Sequence, residues 1–256
     1  MKKLFFTTSI TLFFLVVFLM LILSTIGFKT DKFNKFISDK AIEKNKNISL
    51  ELDKIKFKFG FKDLNLFLET KNPEFIYKDL SIPIQNVRVY LDFYSLIKSR
   101  KKIDKINISS EEININQLKK IIIKTKPSSL NSLISNKVKN GKLVINLELY
   151  FNDNLEIDNF IAKGKVREIE GIINNNISLK NTSFNFFGDS SDILIKNIKS
   201  ETDGLLINNG NLEIKRDNEI SVKSDFITEI KINKKNIINY LSILKNTKFI
   251  NQELNL

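Results

Sequence analysis

The chain has no histidine and no cysteine, and it holds only three prolines, eight glycines and four arginines, Arg88, Arg100, Arg167 and Arg216. Without histidine it lacks the commonest general base near neutral pH and the commonest metal ligand. Without cysteine it has neither thiolate chemistry nor a disulfide framework, although this does not identify the redox compartment. So few glycines leave no phosphate-cradling loop, and no Gly-x-Ser-x-Gly elbow occurs. The close carboxylate pairs Glu111/Glu112, Glu168/Glu170 and Asp189/Asp192 have no histidine to work with and read as solvated turn or strand-face groups. No enzyme activity, cofactor or metal site is implied.

What is abundant is lysine. The net charge of +12 is spread along the whole chain rather than gathered in one patch. Nucleic-acid readout favours arginine forks and clustered basic faces, so a nucleic-acid partner is not read here. A sequence this rich in Lys, Ile and Asn also fits a biased codon supply, while the surplus positive charge suits an anionic membrane surface. With 42% hydrophobic residues over 256 positions, the chain has material for one sizeable domain or two small ones.

The longest apolar run is Leu4–Phe28, which carries no charge. As a helix it measures roughly 37 Å at ~1.5 Å per residue, enough to cross a hydrocarbon core of ~30 Å with some tilt. A cleaved signal peptide has a shorter apolar region and a small-x-small exit, whereas this run ends in bulky Ile26 and Phe28. We therefore read residues 1–3 as a cytoplasmic N-terminus and 4–28 as a transmembrane helix. Lys2 and Lys3 argue for that orientation, and Lys29, Lys32 and Lys35 beyond the other end dilute the signal.

Residues 29–46 read as an amphipathic helix or linker, with Phe33, Phe36, Ile37, Lys40 and Ala41 at helical spacing. From there the period becomes two. Ile55, Phe57 and Phe59 alternate with lysines, Val87, Val89 and Leu91 with polar residues, and Leu143 to Phe151 repeats the pattern. Further strands are expected near Phe160–Ile169, Ile177–Phe187, Ile193–Lys199, Leu205–Ile214 and Ile220–Ile232. The predicted fold is mainly β: an N-terminal transmembrane helix, then an antiparallel meander curled into a groove or open barrel, with few short helices. A first β subdomain occupies 47–125, a linker 126–140, a second, groove-like subdomain 141–233, and a C-terminal helix and tail 234–256. Two helices are expected: Gln117–Lys124, extending toward Pro127–Val138, and Lys234–Asn246.

A sheet with one apolar face must bury it against another layer, close on itself, or curl around an apolar ligand. An ordinary sandwich core is the plainer option, and a trough for acyl chains is the sharper one. The candidate lining residues are Leu143, Ile145, Leu147, Leu149, Phe151, Phe184, Phe186, Ile193, Ile195, Leu212, Ile214, Ile230 and Ile232. Phe187 belongs to the same aromatic cluster, which can equally fill a core. The pattern leaves open which strand face points inward.

The stretch Ile48–Phe59 (ISLELDKIKFKF), followed by NVRVYLDFYSLIKSRKKIDKINISSEEINI from Asn86 to Ile115, resembles the AsmA-like family of bacterial envelope proteins, including its bridge-like members. Tyr94–Ile97 stands where that family has a Ser-Leu turn, and Ile103, Ile106 and Ile108 form the strand after it. Glu111–Ile115 lacks the Pro-Glu often found in the family at this point. The resemblance implies an inner-membrane anchor, a periplasmic β-groove and a part in moving phospholipid toward the outer membrane, with no catalytic residues. It also implies further envelope proteins that complete a longer groove. The alternative is an anchored structural or assembly factor acting through a sheet edge or apolar face.

Overall fold

The computed structural model describes residues 2–31, 34–44, 46–52, 54–61, 65–91, 103–154, 156–174, 177–202, 205–216 and 219–230. The chain is mainly β, with an apolar N-terminal helix and a long antiparallel meander of twelve strands. The ends of that meander do not pair with each other among the described residues, so the sheet is not closed. The chain divides into two compact units, Met1–Glu111 with Ile145–Ala162, and Glu112–Val144 with Lys163–Leu256.

In unit 1, helix α1 (Lys2–Thr25) contains neither proline nor glycine. Its stretch Phe5–Thr25 is long and apolar enough to cross a membrane. The hydroxyls of Thr8, Thr11 and Thr25 donate to the carbonyls of Phe5, Thr7 and Leu21 at 2.8–2.9 Å. They therefore need no water along an apolar span. Gly27 ends the helix with φ of 70° and donates its N–H to the Ile22 carbonyl. A Cβ at this position would lie 2.8 Å from both Lys58 Cγ and the Phe57 carbonyl oxygen. Glycine is thus needed for conformation and for space.

Strand β1 (Phe28–Thr30) follows at once and pairs with β3 (Ile55–Gly60). Between them lie α2 (Asn34–Lys44) and β2 (Ile48–Glu51). The Asn34 amide donates to the Leu52 carbonyl at 2.8 Å, and the Ser38 hydroxyl donates to the Leu50 carbonyl at 2.6 Å, which ties α2 to β2. After β4 (Asn65–Lys71) come β5 (Glu74–Tyr77) and β6 (Leu80–Ile82), which join β2 in a separate three-stranded sheet. The β5–β6 hairpin turns on Lys78 and Asp79, both with positive φ, in the geometry of a two-residue type I′ loop.

Strands β7 (Ile84–Leu91) and β8 (Ile103–Ser110) extend the main sheet. The core of unit 1 is Ile55, Leu68, Ile84, Val87, Val89 and Leu91, with Ile37 of α2, Leu52, Phe75 of β5 and Ile82 of β6 packed against it. The small sheet and α2 are therefore the layer that covers this face. The turn Tyr94–Ile97 of the family resemblance and the predicted helix Lys234–Asn246 lie outside the described residues.

Unit 2 begins with β9 (Ile113–Asn114) and α3 (Ile115–Ile123). Asn114 caps α3 in a reciprocal box with Gln117. After Pro127, α4 (Ser129–Lys137) is capped by Ser128. The single extended helix predicted through this stretch is thus two short helices, broken where proline cannot supply an N–H. Then come β10 (Val138–Phe151) and β11 (Ile157–Asn174), each divided between the units, since Ile145–Ala162 belongs to unit 1, and β12 (Ile177–Gly188), β13 (Asp192–Thr202), β14 (Leu205–Arg216) and β15 (Ile220–Ile230). These are long strands, and β12 to β15 are neighbours in chain order.

Candidate functional site

Residues paired across an antiparallel sheet share a face, and so do alternate residues along a strand. The register of β12–β15 therefore fixes which side chains stand together. Phe186, Ile195 and Leu212 pair in one row, and Ile193, Ile214 and Val222 in the next. Phe184 lies two residues from Phe186 on the same strand. Beyond the irregularities in register, Ile207 pairs with Ser200, and Leu205 pairs with Thr202 and Ile230. Ile220 and Phe226 fall on this side too, by alternation with Val222.

The opposite face is charged or amide-bearing over most of its area. Its pairs and rows are Asn185 with Lys196, Asn211 with Asp225, then Leu194, Glu213 and Lys223, then Glu201, Leu206 and Glu229. Phe187 stands on this polar side, paired with Leu194. It is thus separated from Phe184 and Phe186, its sequence neighbours in the aromatic cluster, because parity along a strand divides consecutive residues.

Two glycines let aromatic rings lie flat on the apolar face. A Cβ built at Gly210 would stand 2.2 Å from Phe226 Cδ1, and one at Gly164 would stand 2.7 Å from Phe186 Cζ. An aromatic ring laid over a cross-strand glycine seals the sheet where a side chain is missing. A buried polar contact on this face joins Thr182 Oγ1 and Ser200 Oγ at 2.6 Å. A pair of hydroxyls that satisfy each other leaves the surrounding surface apolar.

Among the described residues, cover over this face is incomplete. Phe184, Phe186, Ile193, Ile195, Leu212 and Ile214 are half-buried. On β15 the exposure rises to 47% at Phe226, 58% at Val222 and 74% at Ile220. The arrangement offers a partly open apolar surface across four strands.

The remaining candidates lie elsewhere. Leu147 and Leu149 pair with Ile108 and Ile106, which pair in turn with the buried Val87 and Val89 of unit 1. Ile145 and Phe151 share their parity on β10. These four are half-buried and stand apart from the β12–β15 rows. Leu143 pairs with buried Ile113 beside α3 in unit 2. Ile230 is placed by its register alone, and Ile232 lies outside the described residues.

Of the carboxylates set aside from the sequence, Asp189 is engaged in a turn, and Glu168 and Glu112 in ion pairs. Asp189 accepts from the N–H groups of Ser191 and Asp192 at 2.8 Å, and these bonds hold its carboxyl below the usual range. Glu168 pairs with Lys142 at 2.9 Å, and Glu112 with Arg167.

One acidic residue with no signature in the sequence is buried. Glu69 on β4 is 3% exposed, and it meets Lys58 Nζ at 2.7 Å, Arg88 Nε at 2.9 Å and the Asn86 amide at 3.2 Å. Burial pushes its carboxyl up, but these donors and the Lys58 charge outweigh burial and hold it at about 2. The cluster ties β3, β4 and β7 together on the side of the sheet facing away from the core. On the same side, Phe67 and Tyr90 stack at 5.3 Å, and Lys105 lies 4.8 Å from the Tyr90 ring.

No protein-family model, no curated protein and no solved structure matches the chain.

Proposed function

We propose that this is a non-enzymatic, membrane-anchored protein that shields phospholipid acyl chains on the apolar face of β12–β15. In this reading α1 crosses a bacterial inner membrane, the β units stand in the periplasm, and the protein takes part in moving phospholipid toward the outer membrane. The observation that supports it is the registered apolar face, with charged groups on the reverse side and incomplete cover. Each methylene removed from water contributes about 0.8 kcal/mol, so a short stretch of acyl chain suffices for binding that is still reversible. A headgroup would remain in water beyond the sheet.

The test places a photo-crosslinking amino acid in the full-length, membrane-bound chain, at Leu212 on the apolar face or at Glu213 on the reverse. A phospholipid adduct is expected at Leu212 and not at Glu213. Equal labelling, or none at Leu212, defeats the reading.

A second reading draws on β15, which pairs only with β14 among the described residues and leaves Ile220, Val222 and Phe226 exposed. Such an edge accepts a strand from another protein. A protein adduct at Ile220 in place of a lipid adduct at Leu212 would favour this second reading.

A further inference from the structure

We propose that the β3–β4 end of unit 1 is a second membrane contact, seated in the phospholipid interface where α1 emerges. This rests on the reading that α1 spans the bilayer and is independent of what the β12–β15 face binds.

The register fixes the direction. β1 leaves the helix at Phe28, which pairs with Phe57, and β3 runs antiparallel to β1. Beyond Phe57, therefore, Lys58, Phe59, Gly60 and Phe61 travel back toward the end of α1. The near contact between Gly27 and Lys58 places that return beside the helix end. Exposure along α1 agrees, for Phe5–Leu21 are exposed while Ile22, Leu23 and Ser24 are half-covered. Since the whole length Phe5–Thr25 is about what a hydrocarbon core of ~30 Å requires, a strand end packed on the last turn lies at the bilayer boundary.

The side chains at this end suit that depth. Phe59 and Phe61 pack edge to face at 5.3 Å, Phe61 is 46% exposed, and Phe28 is 51% exposed. Apolar rings left open to water at a membrane boundary are stabilised by entering the acyl region. Lys29 and Lys56 pair directly across β1 and β3, and Lys56 pairs in turn with Glu69 of β4, whose carboxylate is already engaged by Lys58 and Arg88. Like charges placed directly opposite are unfavourable unless an anion lies between or above them. A phosphodiester at headgroup level supplies that anion, and lysines near the surface are drawn to anionic lipid.

The chain contains no tryptophan, so one substitution makes a depth probe. Full-length Phe61→Trp and, separately, Phe59→Trp are placed in nanodiscs of phosphatidylcholine with phosphatidylglycerol. Lipids brominated near the headgroup end of their chains are then introduced. Emission from both variants should fall by about two-fold, with less quenching when phosphatidylglycerol is omitted or when Lys29→Glu and Lys56→Glu are introduced. Phe14→Trp, in mid-helix, is read separately with lipids brominated near the chain ends. Quenching at Phe14→Trp without quenching at either strand position overturns the second contact alone. No quenching at Phe14→Trp overturns the anchor as well, and quenching indifferent to phosphatidylglycerol overturns the headgroup role of the lysines.

Discussion

The two units use the same alternation of apolar and polar residues and reach opposite outcomes. In unit 1 the apolar face of β3, β4 and β7 is covered by α2 and the β2–β5–β6 sheet, leaving Ile55 at 1% and Leu68 at 3% exposure. In unit 2 the face of β12–β15 carries as many branched and aromatic side chains, yet all the described ones are half-buried or exposed. Among the described residues, the difference is not hydrophobicity but the presence of a second layer. The reverse faces differ too, for unit 1 is knit there by Glu69 with Lys58 and Arg88, and unit 2 by cross-strand charges and amides.

The sharpest way to break this comparison is to put a charge into each face. Val89→Asp, at 4% exposure, buries an unpaired carboxylate and should cost about 4 kcal/mol or more, seen as loss of the urea transition by circular dichroism. Leu212→Asp should cost only about 1 kcal/mol, because its carboxylate can reach water, while the lipid adduct at neighbouring face positions disappears. If the two variants unfold alike, the β12–β15 face is a core and the contrast fails.

Glu69→Gln comes between these in size. It removes the charge that Lys58 and Arg88 enclose, and those partners, at 18% and 42% exposure, can partly rehydrate. A loss of about 2 kcal/mol is expected, measured by urea unfolding near neutral pH. The carboxyl is held at about 2 against an ordinary 4.5, so its contribution is complete above pH 4.5 and is lost as pH falls toward 2. The gap between wild type and Glu69→Gln should therefore narrow across that window. A gap that stays constant would show that the Glu69 charge does not act through this cluster.

The smallest effect concerns Gly210. Gly210→Ala places a methyl where the Phe226 ring lies, and since Phe226 is 47% exposed the ring can swing away. A loss of about 1 kcal/mol is expected, with solvent protection of the β14–β15 pair reduced in hydrogen exchange.

Much of this was legible in the sequence because long elements repeat their period. The uncharged run became α1, and Ile193/Ile195 and Leu212/Ile214 fell on one face as their alternation required. Short elements were not legible. β1, β2, β5 and β6 have three or four residues each, too few for a period to emerge, yet β2, β5 and β6 decide which apolar face is covered. Their hairpin turn, Lys78–Asp79, lacks the glycine or asparagine that marks such loops. Glu69 looked like any outward strand carboxylate, since its burial depends on lysine and arginine chains from β3 and β7. Leu147 and Leu149 had the right pattern for a trough, but that pattern does not say that their cross-strand neighbours are Ile108 and Ile106 of β8.

Only Ile26 and Gly27 separate α1 from β1, a tether of at most about 7 Å. A leash that short leaves unit 1 almost no swivel of its own. Any tilt or rotation of the helix becomes tilt or rotation of the sheet beside it, as with a bracket welded to its post. If α1 spans a bilayer as proposed, the bearing of unit 1 follows the tilt of the helix, and changes in bilayer thickness would re-aim it.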